Sequence, residues 1–262
     1  MSTESLQSLI APFRRRPAGP GEWDRIHPDK NRAPRPEPQT DREAANMWCN
    51  ALLDSTWMDA GWPRTVTEMF SGLPVFDLLD VDAFARQVPK AAPSKIGACL
   101  EILDREGATL VLAGHEPGTG KTAFAYLLWL RDIAQMARAW GAEKHEWNGA
   151  CWGEMPRHTY VEWPRALGQE KSKFRTHLHG SYLRPLEKVD FLVIDDVYNS
   201  PTKWELSELE LVVGQRYNMK ARTILVLEAA ADLAVEDILG PKTYSRIAER
   251  GGVVQCNWEP YR

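Results

Sequence analysis

The sequence predicts an α/β protein, a three-layer αβα fold built on a five-stranded parallel sheet. Three observations predict it. From about residue 108 onward, short apolar runs alternate with longer helical patterns. A glycine-rich stretch, "VLAGHEPGTGKT" (residues 111–122), joins one such run to a helix. A second run, "VDFLVIDD", ends in the paired acids Asp195 and Asp196.

Composition bounds the reading. Hydrophobic residues make up 44% of the 262 positions and charged residues 26%, ordinary for a soluble globular chain. The formal net charge of −4 gives no global basic field, so any nucleic-acid contact must come from a local patch. No apolar run approaches a membrane span. In "MSTESLQSLIAPFRRR" the charge follows the apolar stretch, the reverse of a secretory leader, and a cytoplasmic location is expected. Cys49, Cys99, Cys151 and Cys256 are scattered with no Cys-x-x-Cys pair, which argues against a zinc site or a disulfide scaffold.

The elements follow in order. Residues 1–42 carry Pro17, Pro20, Pro28, Pro34, Pro36 and Pro38 among dense charges and read as a flexible arm. Within it only "TESLQSLIAPF" forms a short amphipathic pattern, with Leu6, Leu9, Ile10 and Phe13 on one side, a candidate docking helix. Residues 43–107 read as a helical lead-in. One pattern runs from about 42 to 60 and stops at Gly61 and Pro63, and "PSKIGACLEILDREG" makes another helix closed by Gly107. Residues 108–262 form the core. "ATLVLAG" is a continuous apolar run of the kind buried in parallel sheets, and "KTAFAYLLWLRDIAQMARAW" is a long helix, apolar nearly all round. "RHTYVEW" is a strand, followed by a polar helix from Pro164 to about His177. "VDFLVIDD" is a strand. "TKWELSELELVVGQRYNM" is a helix with Trp204, Leu206, Leu209 and Val213 on one side. "RTILVLE" and "GGVVQCNW" complete the sheet, and the chain ends soon after, with no room for a helical lid.

The glycine-rich stretch sits between a strand and a helix, where a phosphate-binding loop belongs. Gly118 and Gly120 let backbone N–H groups approach phosphate oxygens, and the helix start favours an anion. Pro117 and Thr119 complete the inner loop. Lys121 would reach the outer phosphates, and the Thr122 hydroxyl would hold Mg²⁺. The usual first glycine is displaced: His115 holds its position and Gly114 precedes it. Either Gly114 makes the turn, with His115 and Glu116 bulging outward, or His115 takes the position under mild strain. The acids at the end of "FLVIDD" stand where open α/β sheets bind ligands. Asp195 is assigned to the metal and Asp196 to the attacking water. The two motifs together define a P-loop NTPase site for ATP and Mg²⁺.

"AGHEPGTGKTAFAYLL", "VDFLVIDDVYNSPTKWELSELELVVGQRYNMKARTILVLE" and "DILGPKTYSRIAERGGVVQCNWEPYR" together resemble the DnaC/IstB-type AAA+ ATPases, bacterial helicase loaders and helpers of transposons. "ALLDSTWMDAGWPRTVTEMF" is similar to that family's lead-in helix and entry loop. The resemblance covers roughly residues 45–262 and implies an ASCE-type module without a lid domain. It implies rings or filaments in which Arg246, of "TYSRI", acts in trans as an arginine finger. The residue aligned with the family's polar sensor is Glu228, and a carboxylate close to the γ-phosphate repels it unless protonated or paired. Slow turnover would follow, unless Glu228 turns away and a neighbour takes the sensor role.

Between the second and third strands, Lys171, Lys173, Arg175, His177, His179 and Arg184 surround Phe174 and Tyr182, a basic and aromatic mixture suited to DNA, or else a solvated helix face. The leading expectation is an ATP-dependent loader that oligomerises, engages DNA, single-stranded by preference, and delivers a DnaB-type replicative helicase gripped by the arm. The alternatives are an IstB-like helper of a transposase acting on duplex DNA, and a nucleotide-gated adaptor that scarcely hydrolyses ATP.

Overall fold

A computed structural model describes residues 42, 43, 45, 46, 49, 62–139, 158–175, 181–197, 201–229 and 234–260. Within it β1 (Thr109–Gly114) is buried at every position, as its unbroken apolar run requires. With β2 (His158–Glu162), β3 (Phe191–Val197), β4 (Arg222–Glu228) and β5 (Gly252–Gln255) it forms one sheet in the order β2-β3-β4-β1-β5. Every pairing is parallel. The C-terminal ends of β1, β3 and β4 therefore lie side by side on one edge. The helices that connect them are those the sequence places between the strands.

The described helices are α1 (Arg64–Met69), α2 (Val81–Gln87), α3 (Pro93–Leu103), α4 (Lys121–Ala139), α5 (Trp163–Arg175), α6 (Lys203–Asn218), α7 (Val235–Leu239) and α8 (Pro241–Arg250). α4 is buried without a break from Phe124 to Leu130, as its all-round apolar pattern implies. α5 begins at Trp163 and is described as far as Arg175, close to the expected span. α6 starts in a capping box: the Thr202 hydroxyl accepts from the Glu205 N–H, and the Glu205 carboxylate accepts from the Thr202 N–H. Gly107, at φ +69°, makes the turn before β1, and a Cβ there would come within 2.7 Å of the Lys220 backbone.

Two compact units divide the chain. One comprises residues 1–60, 72–79 and 130–155. Among its described residues, Arg42 and Asn46 both donate to the Asp77 carboxylate, at 2.6 and 3.1 Å, and the Phe76 N–H donates to the Asn46 side chain at 2.7 Å. The other comprises residues 61–71, 80–129 and 156–262 and holds the whole sheet. On one sheet face Val111, Leu192, Ile194, Leu225 and Leu227 pack with Leu209, Val212 and Val213 of α6 and Ile247 of α8. Arg216 is fully buried there. Its guanidinium donates to the carbonyls of Leu186 (2.8 Å), Val189 (2.6 Å) and Arg222 (2.5 Å) and to the Thr223 hydroxyl (2.8 Å). Burial pushes its pKa down to about 9. It closes off backbone acceptors at the N-terminal approaches to β3 and β4 that would otherwise be buried without partners.

The expected arm and its docking helix, and most of the helix expected from 42 to 60, lie outside the described residues.

Candidate functional site at the strand ends

The loop after β1 is shaped by its two inner glycines. Gly118 has φ +77° and Gly120 φ +80°, left-handed conformations that a side chain rarely adopts. Such alternation turns successive N–H groups toward one concavity, a nest for an anion. The first helical bond of α4 runs from the Phe124 N–H to the Gly120 carbonyl at 2.8 Å, so the loop feeds directly into a helix start. The Lys121 ammonium folds back over the loop and donates to the Glu116 carbonyl at 3.0 Å and to the Thr119 hydroxyl at 3.5 Å. That hydroxyl in turn donates to the Glu116 carbonyl at 3.3 Å. The cation is thus held at the loop.

Gly114 does not make the turn. It is the last residue of β1, paired with Glu228 of β4, and its φ is not positive. Its lack of a side chain has another use. A Cβ there would stand 2.9 Å from the Cys256 carbonyl oxygen, where the chain leaves β5. His115 occupies the displaced glycine's position with no positive φ, so the expected strain is not found. Its side chain is exposed, 3.4 Å from the Glu116 carboxylate.

At the end of β3 two adjacent acids have opposite environments. Asp195 is 2% exposed. One carboxylate oxygen accepts from the Tyr160 hydroxyl at 2.8 Å and the other from the Asp196 N–H at 2.9 Å. The Thr122 hydroxyl also donates to it. Burial, and secondarily the Asp196 charge, push the Asp195 pKa up, while those three hydrogen bonds hold it down. Asp196 is exposed, with φ +56°. The β3–β4 register shifts between Ile194 and Val197 at this point. A bulge and a left-handed aspartate re-aim the second carboxylate away from the strand's alternation.

The Thr122 hydroxyl and the Asp195 carboxylate bring two hard oxygens, from the loop helix and from β3, into hydrogen-bonding contact. That donor pair fits Mg²⁺, which keeps most of its shell as water and phosphate oxygens. Among the described residues no group of three His, Cys, Asp or Glu side chains makes a metal cage, and an ion held this way needs none.

Glu228 ends β4, between the strands that carry Asp195 and the loop. Its side chain is exposed and has no hydrogen bond or ion pair with the described residues. Arg246 lies elsewhere. It is half-buried in α8, and its guanidinium fills the space of an absent Cβ at Gly214 (2.3 Å from the ideal position) and lies 6.0 Å over the Tyr217 ring. Gly214 and Tyr217 fall in the last turns of α6, which leads to the start of β4. Arg246 therefore sits toward the opposite edge of the sheet from this chain's own loop.

The basic residues of α5 are partly engaged. Lys171 lies 3.4 Å from Glu205 and 4.7 Å over the Trp204 ring, and Lys173 lies 5.7 Å over the Tyr182 ring. Arg184 is exposed. The side chains of Phe174 and Arg175, and His177 and His179, lie outside the described residues.

Three site residues carry no motif signal. Tyr160 reads as an ordinary strand aromatic, yet it holds Asp195 while stacked on Trp62 (4.2 Å between centroids). Trp258 donates its indole N–H to the Thr119 carbonyl at 2.7 Å. Lys95 packs 5.7 Å over that indole.

A parallel sheet of this order, a glycine-rich loop after β1 and a buried acid ending β3 make the fold that of a three-layer αβα P-loop NTPase. No protein-family model and no curated protein matches the chain. Solved structures do, at low identity. A DnaC helicase loader is similar at 16% identity and TM-score 0.46, over 62% of this chain and 88% of that one. A putative primosome component from Streptococcus pyogenes serotype M3 is similar at 16% identity and TM-score 0.42, over 75% of this chain and 97% of that one. The replication initiator DnaA bound to AMPPCP and single-stranded DNA is similar at 19% identity and TM-score 0.42, over 61% of this chain and 44% of that one. Among the described residues no helix is long and apolar enough to cross a membrane.

Proposed function

We propose that this chain is a slow ATPase of the AAA+ type that works as a helicase loader in DNA replication. The observation that carries the ATPase reading is the placing of the glycine-rich loop after β1, with Gly118 and Gly120 in left-handed conformations, on the same sheet edge as the buried Asp195 of β3. The resemblance of residues 45–262 to DnaC/IstB-type motifs supplies the class of partner.

In this reading the N–H groups of Gly118, Thr119 and Gly120 cradle the phosphates, and Lys121 moves from the Glu116 carbonyl to the outer phosphates. Thr122 and Asp195 hold Mg²⁺, which when bound offsets the phosphate charge. Asp196 orients the attacking water and accepts its proton as water adds to the γ-phosphorus and the bond to the β-phosphate oxygen breaks. Arg246, remote from its own loop, acts on the site of a neighbouring copy and stabilises the charge of the transferring group. The cations Lys171, Lys173, Arg175 and Arg184 engage DNA, and the arm of residues 1–42 grips the helicase.

A second reading is favoured by Glu228, an unengaged acid between the loop and Asp195. It makes the chain an adaptor that binds ATP and scarcely hydrolyses it.

ATP hydrolysis measured alone, with single-stranded DNA and with duplex DNA, separates these readings, with Lys121→Ala as the blank. Stimulation by single strands is expected. Stimulation by duplex alone would replace the loader with a transposition helper. Bound ATP without turnover under any condition would favour the adaptor, and absence of ATP binding would overturn the proposal.

A further inference from the structure

After β5 the chain runs back across the phosphate loop. The Cys256 N–H donates to the Ala113 carbonyl at 2.6 Å, and the Cys256 carbonyl occupies the room left by Gly114. The Trp258 indole N–H reaches the Thr119 carbonyl at 2.7 Å, and its ring meets Phe124, the first buried residue of α4, edge-on at 5.8 Å. Pro260 lies against Gly118, 3.9 Å from where a Cβ would stand. Two lysines hold this segment from the other side. Lys95 of α3 donates to the Gln255 carbonyl at 2.5 Å and to the Asn257 side chain, and lies over the Trp258 ring. Lys90 donates to the Pro260 carbonyl.

We propose that residues 256–260 are a latch on the phosphate loop, with Trp258 as a positioning residue for the nucleotide. The argument rests on the ATP-binding reading and turns on one peptide plane. The Thr119 carbonyl and the Gly120 N–H belong to the same planar, trans unit and point in opposite directions. Anchoring the carbonyl on Trp258 therefore fixes the direction of the Gly120 N–H, one of the donors a phosphate would take. The loop needs such an anchor because Gly118 and Gly120 give it little stiffness of its own. Thr119 is 1% exposed, so its carbonyl has no ready replacement for the indole. A pre-set donor spares the ordering cost on binding.

Trp258→Phe keeps an aromatic ring and removes the donor. Three measurements on the full chain test it: amide hydrogen exchange of residues 115–121 without nucleotide, ATP affinity, and the thermal midpoint. Loop exchange about tenfold faster and ATP binding about tenfold weaker are expected, with exchange in β1 and β3 unchanged. Lys95→Ala, which frees the latch without touching the loop, should move both in the same direction by less, and it serves as the test if Trp258→Phe does not fold. Loop exchange and affinity within about twofold of the parent would overturn the latch. If the parent binds no ATP, the ATPase reading fails, while loop exchange in the nucleotide-free protein still decides whether Trp258 holds the loop.

Discussion

The ends of β3 and β4 are neighbours on the same sheet edge, and each carries an acid there: Asp195, two residues before the end of β3, and Glu228, the last residue of β4. Asp195 is buried and held by three donors, from Tyr160, Asp196 and Thr122. Glu228 is exposed and held by none of the described residues. Strand topology delivers a carboxylate to the site in both cases, but only one is pre-organised. A charge fixed in a buried setting acts strongly on what binds beside it. A charge in water is screened and can turn away.

The largest break in this comparison is Asp195→Asn. Metal-dependent ATP turnover should fall by about 10³-fold or more, because the carboxylate's charge is what would hold the ion. The same change should stabilise the nucleotide-free protein. Burial raises the Asp195 pKa in the folded state above its unfolded value. The folded protein then binds the extra proton between those two values, and stability falls as pH rises through the folded pKa. Denaturant titrations from pH 4 upward should show that loss in the parent and a flatter profile in the variant. A variant less stable than the parent at neutral pH would mean that Asp195's hydrogen bonds outweigh its burial.

Tyr160→Phe comes next in size. It removes the 2.8 Å bond and leaves the Thr122 and Asp196 donors in place. The Mg²⁺ concentration for half-maximal turnover should rise about tenfold, the usual effect of losing a partner behind a ligand. ATP affinity measured without metal should not change. Loss of affinity in both conditions would show a general packing role instead, through the stack on Trp62.

These residues also mark what was legible in the sequence. β1, β3 and β4 could be read because buried parallel strands are short, unbroken apolar runs, whereas β2 and β5, at the two edges of the sheet, are mixed in polarity and were legible mainly from their place in the strand–helix alternation. The turn at Gly118 and Gly120 could be read because left-handed backbone falls to glycine within a few residues of a strand end. Gly114 was legible as a departure but not in its cause, since its constraint is a carbonyl at Cys256. Tyr160 and Trp258 are far in sequence from the residues they hold, and nothing local distinguishes them from core aromatics. Arg216 lies on a helix pattern that does not mark it as buried. Only the fold gathers the carbonyls of Leu186, Val189 and Arg222 around it.

Glu228→Asn should have the smallest effect, and its size tests the comparison most sharply. The side chain is exposed, so its field is weakened by solvent and salt. Removing the charge should raise ATP affinity and turnover by about fivefold at low ionic strength, and by less at high salt. If turnover rises while affinity stays constant, the gain comes from orienting water rather than from relief of repulsion. If neither changes at any salt concentration, Glu228 points away from the bound nucleotide, and the cause of any slow hydrolysis lies elsewhere. Salt dependence separates a charge effect from a contact effect without any assumption about where the γ-phosphate lies.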